Sequence, residues 1–189
     1  MYAPVMGLTA ALAKEDASAV TRALVVRAQN GDAAAFSTLI AAHYELIHRA
    51  AWKWSGNASD AEDVAQDVCV KLGRAIAGFD GRSAFSSWVY RITINAVRDM
   101  QRQSMRQARH VDAYAEVAPA DHPAEQEEAA TSAQIWTAVR RLPEKQRDAV
   151  LLVYAEELSH AAAAEIMGIA EATVSFHVHQ ARKTLRELL

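Results

Sequence analysis

Four arginines, Arg91, Arg98, Arg102 and Arg106, are spaced by seven, four and four residues in a stretch without proline or glycine. On a helix those intervals bring the side chains to one face. Three aromatic residues, Phe85, Trp88 and Tyr90, stand at the start of the same stretch. A row of cations holds a phosphate backbone by displacing its counterions, and aromatic rings stack on unpaired bases. The chemistry on offer is binding and strand handling. Taken alone, the same pattern also fits a solvated arginine face on a core helix with its aromatics packed.

Other chemistries find little support. The chain has no nucleotide-phosphate glycine loop and no paired nucleophile and base. Its seven histidines include no HExxH arrangement, and a lone cysteine, Cys69, gives them no thiolate partner. No catalysis, metal or cofactor is expected. A single cysteine forms no internal disulfide, which points to a reducing, cytoplasmic setting, with Cys69 itself packed in a helix. No secretory leader and no membrane-length apolar run stands out, so no membrane insertion is expected.

The elements that must position the arginines are helical. Alanine is abundant, there are seven glycines and four prolines in 189 residues, and no alternating β-branched run calls for a sheet. The hydrophobic fraction of 51% supports real cores, and the net charge of −3 conceals a segregated charge pattern. The expected fold is all-α, with two small helical domains joined by an acidic flexible linker. A loose tail covers 1–16, and a first domain covers 17–109. Its first helix runs from about Ala17 to Asn30-Gly31. Asp32 caps a second that extends to Ser55, apolar at Phe36, Leu39, Ile40, Tyr44, Ile47, Ala51 and Trp54. Ser59 and Glu62 have the spacing of a capping box for a third. That helix is apolar at Ala61, Val64, Ala65, Val68, Leu72 and Ile76, and it carries Asp60, Asp63, Gln66 and Asp67 on the opposite side. An acidic first turn suits the helix dipole, yet Asp67 lies beyond that turn, and a rigid acidic face suits a basic partner. The arginine helix follows, with Phe85, Trp88, Val89, Ile92, Ala96 and Met100 as its apolar stripe.

Residues 110–131 hold six acidic residues and no lysine or arginine, and they read as the linker, helical from about Ala124. The second domain, 132–189, begins with a helix marked by Ile135, Val139 and Leu142. Pro143 opens another, in which Val150, Leu151 and Tyr154 face inward. Ser159 then caps a short helix ending at Gly168, and a longer one carries Val174, Val178, Ala181, Leu185 and Leu188. The last pair has helix-turn-helix proportions. Its outer face presents Thr173, Ser175, Phe176, His177, His179, Gln180 and Lys183, groups able to meet base edges and phosphates.

Three stretches in this order resemble the extracytoplasmic-function sigma factors, group 4 of the sigma-70 family of bacterial RNA polymerase initiation subunits. They are Gly31-Asp-Ala-Ala-Ala-Phe36 through Tyr44; Gly56 to Asp67 with Phe85-Ser-Ser-Trp-Val-Tyr-Arg-Ile92 and Asn95; and Leu142-Pro-Glu-Lys-Gln-Arg147 through Gly168, Thr173-Val and Ala181-Arg182. The resemblance implies a region 2 that docks on core RNA polymerase through Asp60, Asp63, Gln66 and Asp67. It implies −10 promoter DNA handled by Phe79, Arg91, Asn95, Arg98, Arg102 and Arg106, with the loop Phe79 to Ala84 placed to take a flipped base and Phe85 and Trp88 supporting the fold. It also implies a region 4 reading −35 DNA through Thr173, Ser175, Phe176, His179, Gln180 and Lys183. An anti-sigma factor is an implied partner. The chain departs from the family pattern at Ala161 and Ala162, in place of glutamates, at Gly73, in place of a large aromatic, and in a recognition helix poor in cations. That last departure motivates an alternative, a sigma-like decoy that sequesters an anti-sigma factor without touching promoter DNA. An ordinary dimeric helix-turn-helix regulator would leave the first hundred residues unexplained.

Overall fold

The computed structural model describes residues 6–111 and 127–189, with side chains described over 18–107 and 134–189. Among these residues every regular element is helical: α1 (Met6–Gln29), α2 (Ala33–Ser55), α3 (Ala58–Ala75), α4 (Phe85–Val111), α5 (Glu127–Arg140), α6 (Glu144–Val150), α7 (His160–Met167) and α8 (Glu171–Leu188). The chain divides into two compact units, 1–100 and 101–189. Most of the expected linker lies outside the described residues, although α4 continues to Val111 and α5 begins at Glu127.

Helix boundaries in the first unit follow local chemistry. Asp32 caps α2 as expected, its Oδ1 accepting from the amides of Ala34 and Ala35 at 3.0 Å each. Those amides, first Ala35, together with the Arg27 guanidinium at 2.6 Å, hold the Asp32 carboxyl below its ordinary 3.8. Gly56 ends α2 in the left-handed region at φ 74°, a conformation that costs glycine little. Two boundaries differ from expectation. α1 starts at Met6 instead of Ala17, because its alanine-rich beginning is a good helix former. The capping box does not form: Asn57 caps α3, its Oδ1 accepting from the amides of Ser59 and Asp60 at 2.8 and 3.3 Å, which places Ser59 inside the helix.

α2, α3 and α4 enclose the first core. Leu39, Ile47 and Trp54 of α2, Val68 and Leu72 of α3, and Val89 and Val97 of α4 are fully buried. Each large apolar side chain removed from water contributes about 1.5–3 kcal/mol. The inner face of α4 runs through Phe85, Val89, Thr93, Ala96 and Val97, whereas Trp88, Ile92 and Met100 of the expected stripe are half-buried. Buried Thr93 satisfies its hydroxyl by donating to the Val89 carbonyl at 2.9 Å. Tyr44 is exposed, not inward, because its hydroxyl reaches Glu62 at 3.4 Å. Gly73 faces the Phe36 ring: a Cβ there would lie 3.4 Å from it, in ordinary van der Waals contact.

The second unit packs α5 to α8 around Leu142, Leu151, Leu152, Ile166, Val174 and Val178. One apolar marker and one inward assignment lie outside the core. Ile135 is 44% exposed, the buried positions of α5 being Ala138 and Val139. Tyr154 is 54% exposed because α6 passes into a π-helical turn, Leu151–Ala155, whose wider spacing carries the ring outward while Leu151 and Leu152 stay buried.

Candidate nucleic-acid interface

The outer face of α3 is acidic and held on a rigid helix. Asp63, Gln66 and Asp67 are exposed and Asp60 is half-buried at the first turn. Glu62 is drawn toward α2: its carboxylate accepts from the Tyr44 hydroxyl at 3.4 Å and the Gln66 amide at 3.5 Å, and lies 3.8 Å from His48. Partial loss of hydration around the hydroxyl first, then the Glu62 charge, pushes the Tyr44 phenol up. Asp67 pairs with Lys71 at 2.8 Å on the surface, a contact that water weakens and a better partner can displace.

α4 carries two kinds of group. At its first turn, Phe85 and Trp88 join Phe79 in an aromatic cluster with ring centroids 5.0–5.5 Å apart, and His43 meets Phe85 edge-on at 5.0 Å. Tyr90 is buried and its hydroxyl accepts from Arg49 at 3.4 Å. Phe79 is only 9% exposed and forms one wall of this cluster. Burying its apolar area between two rings outweighs leaving it in water. Further along, Arg91, Asn95, Arg102 and Arg106 are exposed. Arg98 is half-buried and donates to Asn95 Oδ1 at 3.0 Å, fixing the direction of that amide.

Beside the aromatic cluster lies a cleft of about 680 Å³, walled by Val25, His43, Phe79, Gly81 and Phe85 among others. That is a small-ligand dimension, ample for one base. Its rim is a tight loop. Asp80 accepts from the Arg82 amide at 3.1 Å and from the Arg82 guanidinium at 2.6 Å, and Gly81 sits at φ 71°. The amide first and the guanidinium second hold the Asp80 carboxyl below its ordinary 3.8.

In the second unit, Ser159 caps α7 by accepting from the Ala162 amide at 3.2 Å. Gly168, at φ 65°, then reverses the chain, with the amides of Gly168 and Ile169 both donating to the Ala164 carbonyl. α8 buries Val174, Val178 and Ala181. Ser175, Phe176, His179 and Lys183 are exposed, while Thr173 and Gln180 are half-buried. Ser175 is already engaged, 2.7 Å from His160 Nδ1 and donating to the Glu171 carbonyl at 3.3 Å. Phe176 is 57% exposed, the largest apolar group on this face. His179, Arg182, Lys183 and Arg186 line a shallow groove of about 490 Å³ toward the C-terminal half of the helix.

The model for Sigma-70 region 2 matches residues 39–107, and the model for Sigma-70, region 4 matches residues 132–185. The ECF RNA polymerase sigma factor SigM of Mycobacterium tuberculosis is 33% identical over 189 residues, covering 100% of this chain and 91% of its own length. The chain belongs to the extracytoplasmic-function sigma factors. SigW of Bacillus subtilis, of the same class, is 29% identical over 180 residues, covering 87% of this chain and 94% of its own. Among solved structures, CnrH in complex with the cytosolic domain of CnrY superposes with a TM-score of 0.65 at 26% identity, covering 89% of this chain and 96% of that one. The sigma factor RpoE in complex with the anti-sigma factor NepR from Bartonella quintana gives 0.63 at 26% identity, covering 81% and 95%. No helix among the described residues of this sigma factor is long and apolar enough to cross a membrane.

Several groups at the site escaped sequence reasoning. His43 and Gln29 line the cleft from α2 and α1, and Arg186 extends the basic groove of α8. Arg186 was findable, since it follows His179 by seven residues and Arg182 by four. His43 and Gln29 were not, because the loop they border lies tens of residues away in sequence.

Proposed function

We propose that residues 17–109 act as the polymerase-docking and strand-opening part of this sigma factor, and 132–189 as its duplex-reading part. Asp60, Asp63, Gln66 and Asp67 meet a basic surface of core RNA polymerase. Arg91, Asn95, Arg98, Arg102 and Arg106 follow the −10 backbone, and the cleft behind Phe79 receives an extruded base. Thr173, Phe176, His179, Gln180 and Lys183 face the −35 duplex, with Ser175 acting through its tie to His160. The reading rests on one observation: α4 carries a wall of a base-sized cleft at its first turn and a cation row beyond it. A base leaving the duplex needs both an enclosed place and a held backbone.

In this role the chain is a specificity subunit without bond chemistry or cofactor, working in the cytoplasm beside the polymerase. CnrH and RpoE were solved with CnrY and NepR, and we infer a comparable anti-sigma partner here. Run-off transcription with purified core polymerase, on promoters mapped by start-site sequencing after overexpression, tests the reading. A specific transcript from those promoters is expected. Its absence at every mapped promoter favours the decoy, for which the exposed Phe176 would be a protein-binding group.

A further inference from the structure

Gln29 stands near the C-terminal end of α1, ahead of the residues matched by the region 2 model. Its side-chain amide nitrogen donates to two backbone carbonyls, Ile76 at 3.0 Å and Phe79 at 2.8 Å. Those carbonyls bracket the 3-10 turn Ile76–Gly78, where the chain leaves α3 and enters the rim of the cleft. The ring of Phe79 is a wall of that cleft, and Gln29 lines it too. The rest of the rim is held from within, by Asp80 on Arg82 and by the left-handed Gly81. Among these bonds, those of Gln29 join the rim to a different helix.

We propose that Gln29 is a positioning residue for base capture: its two hydrogen bonds fix where the Phe79–Ala84 rim stands relative to α1, and hence the width of the cleft. The proposal rests on the reading of the cleft as the receptor of an unpaired −10 base. The Ile76 carbonyl also accepts from the Phe79 amide at 3.1 Å, which closes the turn, and the Gln29 amide adds the bonds that tie both carbonyls to α1. An amide nitrogen has two hydrogens and serves both. Without the donor the rim regains conformations in which the cleft is closed or splayed, and a base must order the rim as it binds, at a cost in affinity. Because Gln29 acts through the rim, its loss leaves the α3 docking face untouched.

The test is made on holoenzyme assembled from full-length protein and core polymerase. The probe is a fluorescent single-stranded DNA carrying the non-template −10 element of a mapped promoter. Gln29→Met keeps the length of the side chain and removes its donors; Gln29→Lys keeps a donor able to serve both carbonyls. Ala84→Trp, on the cleft lining, fills the cleft itself. The methionine variant should bind the probe about 10-fold more weakly, the loss of two modest hydrogen bonds. The lysine variant should stay close to wild type, and core affinity should be unchanged in both. Equal weakening by methionine and lysine overturns the proposal, as does wild-type binding by the methionine variant while Ala84→Trp loses the probe. If Ala84→Trp and Gln29→Met both bind as wild type, the cleft reading fails and the positioning role falls with it.

Discussion

In the first unit the candidate aromatic groups, Phe79, Phe85 and Trp88, gather beside a cleft, whereas in the second the candidate groups lie along the outside of a single helix, α8. The difference fits the two tasks proposed for them. Unpaired bases must be enclosed and stacked, which takes a cavity with a pre-set rim: Asp80 on Arg82, Gly81 at φ 71°, and Phe79 locked against Phe85 and Trp88. Reading an intact duplex, the role proposed for α8, takes a helix that fits the major groove, and Val174, Val178 and Ala181 anchor α8 from its inner side. The first unit therefore invests its order in a concave place and the second in a convex edge. The cations of α4 and α8 are also arranged differently. The row on α4 extends along the helix beyond its first turn, while those of α8 collect at its C-terminal half.

Substitutions can break that contrast. The largest effect is expected from Arg98→Ala combined with Arg102→Ala: about 100-fold slower open-complex formation and a salt slope reduced by about two, with core affinity unchanged. Stopped-flow fluorescence of promoter opening over a salt series measures both. Asp63→Ala with Asp67→Ala should do the reverse, weakening core binding about 10-fold in a direct binding titration while opening by assembled holoenzyme stays near normal. Identical defects from the two pairs would erase the distinction between docking face and cation row. Lys183→Ala with Arg186→Ala should reduce affinity for a duplex −35 fragment by about 10-fold at most, again with a shallower salt slope. A flat response there would move phosphate anchoring off the C-terminal half of α8.

The smallest effect concerns the caps. The Asp32 carboxyl lies below its ordinary 3.8, so its contribution is fully present above that value and is lost as pH falls through the lowered one. Asp32→Ala should lower the thermal midpoint at neutral pH, and the gap from wild type should close only in strong acid. A circular-dichroism melt across pH decides it, and a gap that closes near neutrality would assign the effect to another group.

Much of this was legible in the sequence where the signal was local. Asp32, Gly56, Ser159 and Gly168 mark ends that a few neighbouring residues determine, and the buried side of α3 followed from spacing alone. Failures arose where two local signals competed or where distant packing decided. Asn57 and Ser59 both offer a capping oxygen, and the asparagine prevails by serving two amides. Tyr154 faces outward because a π-helical turn shifts the phase of an otherwise regular pattern. Trp88 fits an apolar stripe by spacing, yet its place is set by Phe79, a residue on the preceding loop. Gln29 carries no motif at all; its partners stand 47 and 50 residues downstream.

The contrast between cleft and helix is tested most directly by measuring holoenzyme affinity for two probes, a single-stranded non-template −10 DNA and a duplex −35 fragment. Ala84→Trp is predicted to abolish binding of the single strand and leave the duplex untouched, and Lys183→Ala with Arg186→Ala to weaken the duplex alone. Loss of both probes by either variant would contradict the account.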